Sequence, residues 1–140
     1  MKKVLLIVNP CAGQKKARRF LLDMAAILNR GDYQVLVHVT AAPGDGEAAA
    51  LRCAGEVERI LCCGGDGTFS EVMSGLLKSG AEIPLGYIPA GSTNDFAASL
   101  KLSANLLQAT RDTVEGTPVK LDVGSFNGRY FSYVASFGMF

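Results

Sequence analysis

The sequence carries little net charge and contains no long hydrophobic run. Fourteen Lys and Arg residues against thirteen Asp and Glu leave a formal net charge of +1, which argues against a protein whose main role is to bind nucleic acid. No apolar stretch approaches the roughly 20 residues that a membrane-spanning helix needs, and no secretory signal is recognisable. We therefore expect a soluble, cytoplasmic protein with no nucleic-acid partner.

The cysteines show no metal-binding pattern. Cys11, Cys53, Cys62 and Cys63 form no C-x-x-C motif and lack the spacing of zinc ligands. Because side chains alternate along a strand, the adjacent Cys62 and Cys63 point to opposite faces and do not easily share a metal. Without a secretory signal, we interpret all four as reduced thiols.

No internal repeat, low-complexity tract or flexible linker divides the 140 residues, which suffice for one domain with a buried core. The composition is rich in Ala, Val, Leu and Gly, which is typical of an α/β domain with a buried parallel sheet. The basic cluster at residues 15–19 is interpreted as the solvated face of a helix, with the steering of an anionic nucleotide or a membrane as the alternative. His38 falls in a predicted strand, where a lone histidine is far more often packed or on the surface than catalytic.

Apolar periodicity and turn residues predict alternating strands and helices. Strands are predicted over 2–8, 33–40, 57–63 and 85–88, and helices over 15–30, 46–54, 69–78, 94–100 and 103–114, the last capped by Ser103. Two further strands, 119–123 and 129–136, flank Asn127-Gly128, a strong β-hairpin signal. The predicted fold is a three-layer α-β-α domain whose mostly parallel, Rossmann-like sheet ends in an antiparallel hairpin.

A glycine-rich turn, Gly64-Gly65-Asp66-Gly67-Thr68, lies between an apolar strand and an amphipathic helix. Its glycines allow a close backbone approach to a ligand, and the following helix directs its unpaired N–H groups and positive dipole end at the same place. This arrangement suits a phosphate. The carboxylate of Asp66 within the turn favours Mg²⁺-nucleotide chemistry over simple anion binding. The structural alternative is a tight strand-to-helix connection in which Asp66 or Thr68 caps the helix.

Other small, polar loops follow the neighbouring strands. In a mostly parallel α/β sheet, the loops after the strands gather at the carboxyl edge, where ligands bind. Residues 9–13, Thr40, residues 64–68 and residues 89–95 should therefore share one rim. The sequence contains neither G-x-x-x-x-G-K-[ST] nor G-x-G-x-x-G, so a P-loop NTPase and a Rossmann dinucleotide site are both excluded.

Three of these segments resemble, in order, the motifs of the diacylglycerol kinase catalytic-domain family. They are Asn9-Pro10 with Gly13, then the turn at 64–68, then Pro89-x-Gly91-Ser92-x-Asn94-Asp95-Phe96-Ala97. The family includes bacterial lipid kinases, sphingosine kinases and ceramide kinases, and is related to NAD kinases and phosphofructokinases through the GGDG turn. The resemblance covers essentially the whole chain. It departs from the family pattern at Ser70, usually Asn, and at Ser92, usually Thr, which we expect to tune contacts rather than remove them.

The resemblance implies an ATP site between residues 1–140, as the N-terminal catalytic domain, and a β-rich C-terminal domain that this chain lacks. The nucleotide contacts that it implies are Asn9, Pro10, Cys11, Ala12, Gly13, Thr40, Gly64, Gly65, Asp66, Gly67, Thr68, Glu71 and Ser92. For Glu71, its place in the first turn of the helix favours the structural role of an acid that complements the helix dipole, although it also lies near the glycine turn.

Asp66 is the implied catalytic residue, either as a Mg²⁺ ligand or as the base that activates the acceptor hydroxyl. Asn94, Asp95 and Asp122 fit supporting polar or metal-network positions, with structural capping as the alternative.

The expected function is that of the nucleotide-binding domain of an ATP-dependent lipid kinase, which transfers the γ-phosphate of ATP to a lipid hydroxyl such as that of diacylglycerol. ATP and Mg²⁺ are the expected substrate and cofactor, and the complete enzyme would meet its lipid at a membrane surface. The isolated chain is expected to be inactive alone and to self-associate through residues 119–140, which are rich in aromatic side chains. The alternatives are an NAD-kinase-like phosphotransferase and a non-catalytic nucleotide-binding or assembly module.

Overall fold

The fold alternates strands and helices along the chain. A computed structural model describes the backbone of residues 1–91, 103–116, 119–126 and 129–136, and the side chains of residues 1–91 and 103–116. The elements in chain order are β1 (Lys2–Val8), α1 (Ala12–Arg30), β2 (Tyr33–Val39), α2 (Asp45–Cys53), β3 (Arg59–Gly64), α3 (Asp66–Ser79), β4 (Leu85–Pro89), α4 (Leu106–Glu115), β5 (Val119–Phe126) and β6 (Arg129–Ser136).

Within these ranges the strands form one sheet in the order β2-β1-β3-β4-β6-β5. The strands β2, β1, β3 and β4 are parallel, and the register places Leu6 beside Val37 on one side and Leu61 on the other. The strands β1, β3 and β4 form continuous apolar runs because both of their faces are covered. Their carboxyl ends consequently reach the same edge of the sheet.

Helices cover both faces of the sheet, which makes the domain three-layered as predicted. One core cluster joins the sheet to α2 and α3, and the other joins it to α1 and α4. Alternation along β3 places Cys62 in the first cluster and Cys63 in the second. The prediction that these two thiols occupy opposite faces is thereby confirmed.

The helices α2 and α3 pack closely because residue 75 has no side chain. A Cβ built on Gly75 would lie 2.2 Å from the backbone oxygen of Glu47 and 3.0 Å from the Cβ of Ala50. Such distances lie well inside van der Waals contact. The glycine therefore fixes how near the two helices approach each other.

Two predicted helix starts are corrected by the structure. The third helix begins at Asp66 rather than residue 69, because the glycine turn itself enters the first helical turn. The fourth described helix is capped by Asn105, whose Oδ1 accepts a hydrogen bond from the Gln108 amide, so Ser103 is not the cap. The oxygen of Ser103 instead accepts from the amide of Asn105.

The start of α1 is irregular. Gly13, Gln14 and Lys15 have φ values of 54°, 59° and 65°, so the regular helix runs from beyond Lys15. Left-handed backbone is ordinary for glycine and costly for the other two residues. The predicted start of this helix at residue 15 therefore lies just before its regular part, because Lys15 itself has left-handed backbone.

The strands β5 and β6 pair antiparallel, and β6 pairs parallel with β4. The turn residues Asn127 and Gly128 lie outside the described residues, so the turn type stays a prediction, as does the helix over 94–100. Among the helices that the structure describes, none is long and apolar enough to cross a membrane.

Candidate active site

Asn9 connects two of the loops that the sequence places at the carboxyl edge of the sheet. Its backbone amide donates to the carbonyl of Cys63, 2.9 Å away, and so continues the pairing of β1 with β3. Its side-chain Oδ1 accepts from the amide of Cys11 at 3.0 Å, and Nδ2 donates to the hydroxyl of Thr68 at 3.2 Å. The Asn-Pro loop and the glycine turn are therefore held against each other by a side chain whose donor and acceptor are both used.

The glycine turn leads from β3 directly into α3. Gly65 is the N-cap in extended backbone, and no side chain caps the helix, so the alternative in which Asp66 or Thr68 serves as the cap is not realised. Asp66 is the first helical residue and is half-buried, while Gly67 is exposed. A Cβ at Gly67 would meet no described heavy atom within 4 Å. The turn thus offers open backbone and a carboxylate at the positive end of a helix.

Gly13 brings the first loop against the end of β4. A Cβ at this residue would lie 1.9 Å from the carbonyl oxygen of Ala90, a distance that no side chain tolerates. The amide of Ala90 in turn donates to the carbonyl of Gly64 at 2.9 Å. The loops that follow β1, β3 and β4 consequently adjoin one another along the rim.

The segment after β2 is attached to the same rim by Glu71 of α3. Oε1 of this carboxylate accepts hydrogen bonds from the amides of Gly44, at 3.1 Å, and Gly46, at 3.2 Å. The predicted place of Glu71 in the first helical turn is wrong, because α3 begins at Asp66 and Asp66 is the acidic residue of that turn. Glu71 instead holds the segment after β2, and it also lines the cleft described next.

Asp45 holds the same segment from its other end. Its Oδ2 accepts from the amide of Ala41 at 2.8 Å, and its Oδ1 lies 3.2 Å from Nε2 of His38. The hydrogen bond from Ala41, followed by the closeness of the His38 ring, lowers the pKa of the Asp45 carboxyl. His38 thus lies beside a structural carboxylate, and its non-catalytic role stays a prediction.

A cleft of about 350 Å³ opens between these loops. Its walls come from the first loop, the segment after β2 and the first turns of α3, and its lining residues are Asn9, Cys11, Thr40, Ala41, Ala42, Pro43, Gly67, Thr68 and Glu71. The lining is small and mostly uncharged, which leaves backbone and hydroxyl groups accessible to a ligand. This volume lies within the range of small-molecule sites.

A second cleft, of about 470 Å³, lies on the other side of Gly13. Lys16, Arg19 and Phe20 of α1 line it together with Ala90 and Gly91 at the end of β4. The basic cluster therefore borders the rim, in addition to presenting a solvated face.

Asp66 accepts a hydrogen bond from a buried tyrosine. The hydroxyl of Tyr87 in β4 donates to Asp66 Oδ1 at 2.7 Å, and the Tyr87 ring stacks on Phe69 with 4.3 Å between centroids and 11° between planes. Burial, and then the hydrogen bond to Asp66, raises the pKa of Tyr87 far above its usual value. Tyr87 consequently remains a neutral donor to the carboxylate.

The thiols of Cys62 and Cys63 in β3 are buried and unreactive. Burial raises the pKa of Cys63 to about 12, and it raises the pKa of Cys62 well above its usual value. Both therefore remain protonated and inert. Cys11, by contrast, is an exposed free thiol on the cleft wall.

The structure brings together most of the nucleotide contacts predicted from the sequence. Six of them line the cleft, namely Asn9, Cys11, Thr40, Gly67, Thr68 and Glu71, and Asp66 directly precedes Gly67 in the first turn of α3. Ser92, Asn94 and Asp95 lie outside the described residues. Asp122 lies in β5 opposite Ser132, at the far edge of the sheet, and only its backbone is described.

Sequence reasoning missed the contribution of Tyr87 and of the amides of Gly44 and Gly46. A signal existed for Tyr87, because a tyrosine in an otherwise aliphatic buried strand must find a partner for its hydroxyl. No comparable signal marks the two glycine amides, whose partner is 25 or more residues away in the chain.

Comparison with known proteins shows which family has this sequence and fold. The sequence model of the diacylglycerol kinase catalytic domain matches residues 3–126. The chain belongs to this family. It is 34% identical over 140 residues to a diacylglycerol kinase of Bacillus subtilis, and 32% identical over 138 residues to one of Staphylococcus carnosus. These alignments cover 99% and 98% of the chain but only 46% and 45% of the two relatives.

A solved structure agrees with the family assignment. The crystal structure of a diacylglycerol kinase from Bacillus anthracis superposes with a TM-score of 0.81 at 32% identity, over 93% of this chain and 48% of the other. The α/β fold is thereby confirmed as that of a diacylglycerol kinase catalytic domain. The chain spans about half the length of the relatives that it matches.

Proposed function

We propose that this domain forms the nucleotide-binding part of an ATP-dependent lipid kinase, which transfers the γ-phosphate of ATP to the hydroxyl of a lipid such as diacylglycerol. The main support for the proposal is the way in which the loops at the carboxyl edge of the sheet contact one another. Loops that follow four parallel strands adjoin one another through the contacts of Asn9, Gly13 and Glu71, and Asp66 stands at the helix terminus among them. Membership of the diacylglycerol kinase family favours a lipid acceptor over NAD.

The rim residues divide into backbone and side-chain groups in this proposal. Backbone amides of the first loop and of the glycine turn would bind phosphate oxygens, since these segments combine small residues with a helix N-terminus. The side chains of Thr40 and Thr68 would add hydroxyl contacts to the nucleotide. The full proposed contact set is Asn9, Pro10, Cys11, Ala12, Gly13, Thr40, Gly64, Gly65, Asp66, Gly67, Thr68, Glu71 and Ser92.

Asp66 fits the demands of Mg²⁺. In nucleotide sites this ion is usually bound by one or two carboxylates, with substrate phosphates and waters as the other ligands. No cluster of three or more His, Cys, Asp or Glu side chains that could hold a metal occurs in the part of the chain that the structure describes. A single carboxylate beside open backbone therefore suits an ion held mainly by phosphate oxygens, with Asn94, Asp95 and Asp122 as proposed supporting groups.

Transfer would proceed by positioning and charge neutralisation. The acceptor hydroxyl oxygen forms a bond to the γ-phosphorus, the bond from that phosphorus to the leaving oxygen of ADP breaks, and the hydroxyl proton passes to a base. Asp66 serves either as that base or as the carboxylate that orients the ion. When bound, Mg²⁺ would neutralise the charge of the phosphate oxygens.

The domain would work as the N-terminal half of a larger enzyme, with a β-rich C-terminal domain that completes the site. That enzyme would be cytoplasmic and would contact the membrane peripherally to reach its lipid. The 140-residue chain would then be inactive alone and would self-associate through residues 119–140.

A phosphoryl-transfer assay tests the proposal. The complete protein is incubated with Mg²⁺ and radiolabelled ATP, and label is measured in diacylglycerol presented in mixed micelles and, separately, in NAD. We expect label in diacylglycerol. We also expect Asp66→Ala to lower kcat by about 100- to 10,000-fold, the range usual for loss of a group that takes part in proton transfer.

The matched control is Asp23→Ala, which removes an exposed carboxylate on α1 outside the cleft and should leave kcat unchanged. Label in NAD alone would identify the alternative phosphotransferase. Mg-ATP binding by calorimetry without transfer to either acceptor would instead indicate a non-catalytic nucleotide-binding module. Wild-type turnover by Asp66→Ala would remove Asp66 from the mechanism.

A further inference from the structure

We propose that Tyr87 is a positioning residue for Asp66, whose carboxylate it orients through a buried hydrogen bond. This inference rests on the proposed function, because orientation of Asp66 matters to turnover only if that carboxylate acts on the phosphoryl group or its ion. Tyr87 would not touch substrate and would act through Asp66 alone.

The contact itself is short and charge-assisted. The Tyr87 hydroxyl donates to Oδ1 of Asp66 at 2.7 Å, the length expected when a hydroxyl donates to a carboxylate. A carboxylate offers about four lone-pair positions, and the phenol occupies one of them. The bond therefore restricts rotation of the carboxylate without using up its capacity to accept from other donors or to bind a cation.

The tyrosine is itself held rigidly. Its residue in β4 is 0% exposed and pairs in register with Cys62 of β3. Its ring stacks on Phe69, which is also 0% exposed and lies three residues after Asp66 on the same helix. Residues three apart share one face of a helix. The tyrosine therefore contacts the first turn of α3 twice, at the carboxylate and at the phenylalanine ring.

A misdirected carboxylate would matter because phosphoryl transfer depends on position. A displacement of about 1 Å in a reacting group can lower a rate by about 100-fold. A hydrogen bond to a charged group typically contributes enough to change a rate by about 10- to 100-fold when it is lost. Removal of the phenol oxygen should therefore reduce turnover while the fold and the nucleotide contacts persist.

Tyr87→Phe in the complete protein is the test, because it retains the stacked ring and removes only the hydroxyl. We expect kcat to fall about 10- to 100-fold, with the KM for ATP within about twofold of wild type. The matched control is Tyr33→Phe, the same change at a buried tyrosine of β2 that packs beside Arg59. A purely structural Tyr87 would lower the thermal midpoint of the variant but leave kcat per folded molecule unchanged.

Crystal structures of the wild type and of Tyr87→Phe provide a reading that does not depend on turnover. A carboxylate of Asp66 that changes direction in the variant supports the inference. An unmoved carboxylate, or a kcat within twofold of that of Tyr33→Phe, overturns it. If the wild-type protein transfers no phosphate to any acceptor, the proposed function fails, and the direction of Asp66 in the two structures still decides the role of Tyr87.

Discussion

At the scale of a single residue, Gly67 is a position where a substitution should change ligand affinity without changing the stability of the fold. A Cβ there would meet no described atom within 4 Å, and the residue lies in the first turn of α3 on the cleft wall. We expect Gly67→Ala to fold as stably as the wild type, since alanine is the better helix former. Its methyl group would occupy the space that the proposed function assigns to a phosphate, so Mg-ATP should bind about tenfold more weakly, which corresponds to about 1.4 kcal/mol. Isothermal titration calorimetry and thermal unfolding measure the two effects.

Gly55→Ala provides the matched control for this substitution. A Cβ at Gly55 also meets no described atom within 4 Å, and the residue does not line the cleft. Its affinity for Mg-ATP should equal that of the wild type. Unaltered affinity in Gly67→Ala would mean that the ligand does not approach the backbone of the glycine turn.

Individual site residues were predictable where their chemistry is local. The glycine turn with its carboxylate is recognisable from five consecutive residues. The structure places it at a helix N-terminus on the rim. The Tyr87–Asp66 bond was not predicted, because the two residues are 21 positions apart and only the β3–β4 register brings them together. Long-range side-chain pairs of this kind depend on packing that local patterns do not encode.

Gly75 governs packing at the scale of secondary-structure elements. A Cβ at this position would lie 2.2 Å from the carbonyl oxygen of Glu47, a backbone atom that cannot move without displacing α2. We expect Gly75→Ala to lower the free energy of unfolding by about 1–3 kcal/mol, the usual effect of overpacking. Chemical denaturation followed by circular dichroism measures the change.

The sign of that effect is informative because alanine normally stabilises a helix relative to glycine. An increase in stability on Gly75→Ala would show that α2 and α3 adjust freely and that their spacing is not set by this glycine. Gly55→Ala again serves as the comparison, since no close contact opposes it.

Periodicity predicted the existence of the helices and strands more accurately than it predicted their first and last residues. The strands β1 and β6 were predicted with their observed bounds, because Asn9-Pro10 follows the first apolar run and Asn127-Gly128 precedes the last strand. The end of β5 and the start of α3 were misplaced. Glycines are common in turns, so Gly64–Gly67 suggested a loop where the chain already begins its helix.

Self-association is a prediction for the whole molecule. The strand β5 lies at one edge of the sheet, and residues 119–140 contain six aromatic side chains at Phe126, Tyr130, Phe131, Tyr133, Phe137 and Phe140. An unpaired edge strand rich in apolar residues favours pairing with a second copy. We expect the mass of the 140-residue chain in size-exclusion chromatography with light scattering to rise with concentration.

Leu22→Lys tests whether another surface is responsible. Leu22 on α1 is 83% exposed, and its replacement should not alter the mass if residues 119–140 mediate the contact. A monomeric wild-type chain at high concentration would count against the prediction.

The parallel part of the sheet was predictable because each of the strands β1 to β4 is followed by a loop and a helix, and such units build parallel sheets. The position of the rim followed from that topology alone. The connections across the rim did not, since the contacts of Gly13 with Ala90 and of Glu71 with Gly44 join loops that are distant in sequence.

These cross-rim contacts have a thermodynamic consequence. Asn9, Asp45 and Glu71 hold the loops in place with hydrogen bonds formed within the chain itself. The conformational entropy of ordering those loops is therefore lost when the domain folds and not when a ligand arrives. A preorganised receptor of this kind keeps more of its contact energy as affinity.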